Sequence, residues 1–168
     1  MKHILLVISV LIFIGCSSAA KEKTIVNIVF SEDINDYTPI IRDILKTHPE
    51  GNLIILFEEG IFKFFPEKAN DKYIRISNND NGNKRIVFNL ENMKNIEIRG
   101  HNSTFILHGK LVPFFISSCS SVDIKGINID YDYPFVFEGE VVANNLSDWT
   151  FDVKVHPDNP YMIEGDRF

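Results

Sequence analysis

Two hydrophobic rhythms divide this chain. In "SEDINDYTPIIRDILKTHPEG", Ile40, Ile41, Ile44 and Leu45 recur at helical spacing and form one apolar stripe. Thr38 is placed to cap that helix and Pro39 suits its first turn, while Pro49 and Gly51 end it. A helix this short does not stand alone in water, so its stripe must cover something. Before it, "TIVNIVF" (Thr24 to Phe30) reads as a strand. From Asn52 onward the period is two. "NLIILFEEGIFKF" gives two short strands around Glu58, Glu59 and Gly60. "KYIRIS", "RIVFNL", "NIEIRG", "TFILHG", "PFFIS", "VDIKG" and "INIDYD" follow, separated by asparagine, serine or glycine.

The strand pattern repeats. "NIEIRG" (Asn95 to Gly100) matches "SVDIKG" (Ser121 to Gly126) at an offset of 121 − 95 = 26, and Ile86, Phe88 and Leu90 match Val112, Phe114 and Ile116 at the same offset. A repeat of this length is the mark of stacked coils, each too small to bury its apolar groups alone. In such a stack Ile96, Ile98, Val122 and Ile124 point inward, and Glu97, Arg99, Asp123 and Lys125 point outward. The expected fold is all-β: a single-stranded parallel β-helix over residues 24–134, with the helix as an N-terminal cap. The alternative is a β-sandwich with two look-alike strands. After Pro134 the rhythm breaks, and "FVFEGEVVA", "NNLSDW" and "TFDVKVH" read as a hairpin that starts a small antiparallel β-domain at 135–168, apparently truncated.

The first residues are read as targeting. Lys2 precedes an apolar run from Ile4 to Ile14, too short to span about 30 Å of hydrocarbon. Gly15, Cys16, Ser17 and Ser18 follow in the manner of a bacterial lipobox, in which the cysteine takes the lipid; Phe13 stands where leucine is usual, which leaves an ordinary signal peptide with an incidental Cys16 as the alternative. The expectation is a lipoprotein-type signal peptide at 1–15, a tether at 16–23, lipidation of Cys16 and a membrane partnership through that anchor. The location would be the cell envelope, with the periplasm or the medium as the alternative. Acylation would leave Cys119 without a cysteine partner, so no disulfide is expected, and Cys119 reads as a small apolar residue.

Composition adds limits. The chain has 168 residues, 14 of them phenylalanine, and a net charge of −6. No lysine- or arginine-rich run is present, which argues against nucleic acid as a partner. His101 and His108 fall in turns and have no third ligand at zinc spacing, so no metal is expected; no nucleotide or phosphate loop appears, so no cofactor is expected either.

The segment "STFILHGKLVPFFISSCSSVDIKGINIDYDYPF", followed by "GEV" and "FDVKVHPDNPY", resembles the N-terminal part of the α-1,3-galactosidases of glycoside hydrolase family 110. The resemblance covers most of residues 24–168. It implies a right-handed, pectin-lyase-like parallel β-helix with added β-domains. It also implies an exo-acting, inverting hydrolase that uses carboxylates on glycans ending in α-1,3-linked galactose. Relatives of this family are much longer, so their catalytic carboxylates are expected beyond Phe168.

Within the chain, "GINIDYDYP" sets Ile127, Ile129 and Tyr131 on one strand face and Asn128, Asp130 and Asp132 on the other. Residues two apart on a strand lie roughly 6.5–7 Å apart, which approaches the carboxylate spacing of inverting glycosidases. Asp130 and Asp132 are therefore candidate catalytic groups, with turn capping as the plain alternative. Asn128 is a candidate sugar contact. Trp149, with Tyr131, Tyr133 and Tyr161, offers ring faces for stacking, against the alternative of packing across its own hairpin. Asn102 and Asn145 head N-x-S/T triplets, read as idle. Two other functions remain open: a noncatalytic glycan-binding surface protein or inactive truncated product, and another carbohydrate enzyme such as a polysaccharide lyase.

Overall fold

The computed structural model describes residues 22–76, 80–133 and 138–157. The expected export signal, the anchor at Cys16 and Tyr161 lie outside them. The elements run in the order β1 (Thr24–Ile28), α1 (Thr38–Thr47), β2 (Gly51–Phe57), β3 (Ile61–Phe64), a 3-10 turn (Pro66–Lys68), β4 (Asn70–Ile74), β5 (Gly82–Glu91), β6 (Lys94–Leu107), β7 (Leu111–Ser117), β8 (Ser120–Tyr131), β9 (Gly139–Asn145) and β10 (Thr150–Val155). "NIEIRG" and "TFILHG" thus merge into the single bent strand β6, and "VDIKG" and "INIDYD" into β8.

Among the described residues these strands form three sheets. In the first, β1 pairs with β2 and β2 with the first half of β6; β3 pairs with the second half of β6, and β8 lies along both halves. All these pairs are parallel. In the second sheet β4 is antiparallel to β5 while β5 is parallel to β7. The third is the antiparallel pair β9–β10.

This arrangement corrects the expected single-stranded, right-handed parallel β-helix. No parallel β-helix is identified among the described residues; a parallel sheet, a mixed sheet and an antiparallel hairpin are present instead. The physical reason lies in the local connections. β4 folds straight back onto β5, Asn70 facing Ile86 and Ile74 facing Gly82, so the chain reverses there instead of winding onward. The 26-residue offset survives as pairing within the parallel sheet, with Ile96 opposite Val122 and Ile98 opposite Ile124.

Asparagine and serine as the second residue of β2, β6 and β8 have a conformational reason. Asn52, Asn95 and Ser121 hold φ of 53°, 55° and 57°, in the left-handed region that asparagine tolerates better than most residues. Asn95 also donates its side-chain amide to Asn52 Oδ1 at 2.9 Å, linking the start of β6 to that of β2. At the bend of β6 and β8 the backbones of Gly100 and Gly126 come so close that a Cβ on Gly126 would lie 2.2 Å from the Gly100 carbonyl oxygen.

The core is aromatic, which accounts for the phenylalanine content. Phe105 on β6 meets Phe57 at 4.7 Å and Phe64 at 5.0 Å between ring centres, and stacks on Phe88 at 5.8 Å. Edge-to-face and offset rings of this kind add to the energy of burial. Ile96 and Ile98 are fully buried, whereas Val122 and Ile124 on the sheet's outer strand β8 are only half-buried. Helix α1 lays Ile41 and Leu45 into the same core and packs on β5. Thr38 does not cap this helix. Its hydroxyl accepts the N–H of Phe65 at 2.9 Å and donates to that residue's carbonyl at 3.1 Å, fastening the helix start to the end of β3. Asp36 instead accepts the N–H of Thr38 at 2.9 Å.

Candidate functional site

The candidate site is the C-terminal half of β8 and the turns beside it. Parallel pairing with β6 sets Asn128 opposite Thr104, Asp130 opposite Ile106 and Tyr131 opposite Leu107. Asn128 and Asp130 are exposed and Ile127 and Tyr131 are half-buried, but Ile129, on the face of the latter pair, is 44% exposed. The two aspartates then part company. Asp130 Oδ1 accepts only the N–H of the next residue, Tyr131, at 2.8 Å among the described residues. Asp132 is fully engaged. One of its oxygens accepts the N–H of Tyr133 at 2.9 Å and of Gly109 at 3.4 Å, and the other meets His108 Nδ1 at 2.7 Å. The His108 ring in turn stacks flat on Phe65 with 4.1 Å between ring centres.

His108 is the partner that sequence reasoning missed. It was expected only as a turn residue without a metal-ligand partner, yet it clamps Asp132. The offset explains the miss. Ile96 pairs with Val122, an offset of 122 − 96 = 26, but beyond the bend Leu107 pairs with Tyr131, an offset of 131 − 107 = 24. Only the shorter register puts 108 beside 132. Tyr131 anchors the same corner by donating its hydroxyl to the Leu111 carbonyl at 2.8 Å, and burial raises its pKa above the ordinary 10.0.

Next to this half of β8 runs a ladder of charge on the first half. Glu97 binds both Lys23 and Arg99, and Asp123 binds Lys125 at 2.7 Å. The hydrogen bond from Lys23 leads the lowering of the Glu97 pKa, and that from Lys125 leads the lowering at Asp123. These carboxylates are spent on their cations. Asp130 is the one carboxylate of the β8 outer face that no described cation holds. It can accept a sugar hydroxyl or move a proton; Asp132 serves as a structural clamp.

Trp149 sits at the hairpin tip with φ of 55° and 89% of its surface exposed. It does not pack across its own hairpin, and no ring contact or hydrogen bond joins it to Asp130 or Asn128 among the described residues. Cys119 is half-buried and donates to the carbonyls of Leu90 and Ser117.

No family model matches the chain. Curated proteins do. Over 163 residues, or 92% of this chain, it is 35% identical to "Alpha-1,3-galactosidase A" of Shewanella woodyi. This chain is a homologue of the alpha-1,3-galactosidases. It is also 29% identical over 126 residues to "Alpha-1,3-galactosidase B" of Bacteroides thetaiotaomicron, and 27% identical over 154 residues to the protein of that name from Phocaeicola vulgatus. The alignments span only 26%, 20% and 26% of those three relatives, so the chain corresponds to about a quarter of their length.

Proposed function

We propose that this chain forms part of an exported glycoside hydrolase that removes terminal α-1,3-linked galactose from glycans. The observation that carries the reading is the alignment with the Shewanella woodyi galactosidase along 92% of this chain. The reaction would be inverting hydrolysis, in which one carboxylic acid protonates the leaving oxygen and a second carboxylate activates water. Asp130 and Asn128 supply a sugar-contacting edge on the outer face of β8. Asp132 supports that edge through His108. The alignment spans 26% of that relative, which is consistent with further catalytic groups on residues outside this chain. Lipid anchoring at Cys16 in the cell envelope completes the proposal.

The test is an assay on an α-1,3-galactosyl oligosaccharide, following the anomer released by NMR. Whole protein that carries this segment is expected to release galactose with inverted configuration, and Asp130→Asn in it to slow turnover about 100-fold or more. Release of a different sugar, or of unsaturated products from an acidic polysaccharide, overturns the reading. Labelled palmitate should enter the parent and not Cys16→Ala.

A further inference from the structure

A cleft lies away from β8, between the segment that follows β1 and strand β3. It encloses about 270 Å³, near the lower size of small-molecule sites. Phe30, Ile34 and Ile61 give it an apolar floor, and Glu32, Asn35 and Lys63 a polar rim. Phe30 and Ile61 leave 37% and 52% of their surface exposed.

The floor is built to stay in place. The Phe30 ring meets Phe62 edge-to-face at 6.0 Å, and its backbone N–H is held by the Glu58 carboxylate. Gly60 leaves the room for this, since a Cβ there would lie 2.7 Å from Phe30 Cβ. The neighbouring Ser31 N–H is bound by the buried Tyr37 hydroxyl at 2.8 Å. The rim is free. Among the described residues the side chains of Glu32, Asn35 and Lys63 have no hydrogen-bond or ion-pair partner. They offer both donors and acceptors around a fixed aromatic ring.

We infer that this cleft binds one uncharged hexose unit, its C–H face on Phe30 and its hydroxyls on Glu32, Asn35 and Lys63. An aromatic floor with a mixed donor and acceptor rim fits a polyhydroxylated ring. Acidic residues on the same loop, Glu32, Asp33 and Asp36, outnumber Lys63 and disfavour a uronate. The site goes beyond the proposed hydrolysis and does not depend on it.

The experiment is an NMR titration of the 15N-labelled chain with methyl α-D-galactopyranoside, methyl α-D-glucopyranoside and sodium glucuronate. At least one neutral hexoside is expected to saturate with a millimolar Kd and to shift the amides of Phe30, Ile34, Ile61 and Lys63. Phe30→Leu should weaken it about fivefold or more, and Phe30→Tyr should retain it. Should the leucine variant unfold, Lys63→Met on the rim should show a similar loss. No saturation by about 100 mM sugar, full binding by the leucine or Lys63→Met variant, or tighter binding of glucuronate each overturns the proposal. Because the readout is binding, a failure of the hydrolysis assay leaves it untouched.

Discussion

Replacing Thr38 by valine keeps the side chain's shape and removes one atom's chemistry. Thr38 is fully buried, and its hydroxyl both accepts from and donates to the backbone of Phe65, at 2.9 and 3.1 Å. Valine would leave the Phe65 N–H and C=O facing a methyl group. Each buried backbone group left without a partner costs about 1–3 kcal/mol, so the pair costs about 2–6 kcal/mol. The added methyl offsets about 0.8 kcal/mol of that. A net loss near 3 kcal/mol is expected, which lowers Tm by roughly 6–12 °C for a chain of this size. Urea unfolding should show a lower midpoint with an unchanged slope. Thr38→Ser keeps the hydroxyl and should lose no more than about 1 kcal/mol. Asp36→Ala, which removes the bond to the first helical N–H, should cost about 1 kcal/mol and no more. A valine variant within about 0.5 kcal/mol of the parent, or a serine variant as damaged as the valine one, refutes the assignment of this hydroxyl to Phe65.

Phe105→Ala opens a cavity where four other phenylalanines meet, and calorimetry should record a loss of about 3–5 kcal/mol. Gly126→Ala forces a side chain into φ of 70° and onto the Gly100 carbonyl; it should cost about 3 kcal/mol or more, or prevent folding, as seen by circular dichroism. Glu91, Glu97 and Asp123 all have pKa values lowered, chiefly by hydrogen bonds from Lys72, Lys23 and Lys125. Their stabilisation is therefore present above the ordinary carboxylate values of 4.5 and 3.8 and is lost as pH falls below them. Thermal melts should lose stability on that acid limb, with a shallower limb in Glu97→Gln. Burial raises the Tyr131 pKa above 10.0, so its contribution is full below pH 10 and fades above it, and Tyr131→Phe should flatten that alkaline limb.

Strand-forming segments, helix α1 and the pairing of Ile96 with Val122 were legible in the residues. Alternation and an offset repeat are local or periodic properties, and a slip of one residue would turn every apolar side chain to the wrong face. The homology was legible too, in the stretch from Phe105 onward. The architecture built from those strands was not. Whether β4 reverses onto β5 or winds onward depends on a turn and on partners distant in sequence. The same holds for the site. Asp130 and Asp132 look equivalent in "NIDYDYP", but a shift of two residues in register at the Gly100 bend hands Asp132 to His108 and leaves Asp130 with only the N–H of Tyr131 among the described residues. Thr38 has the residue type and position of a helix cap, yet its hydroxyl goes to Phe65, 27 residues away. Sequence by itself determined which side chains share a strand face, since that follows from spacing along one strand. Only the tertiary structure decided which polar groups meet, because a hydrogen bond at 3 Å depends on where two separate segments come to rest.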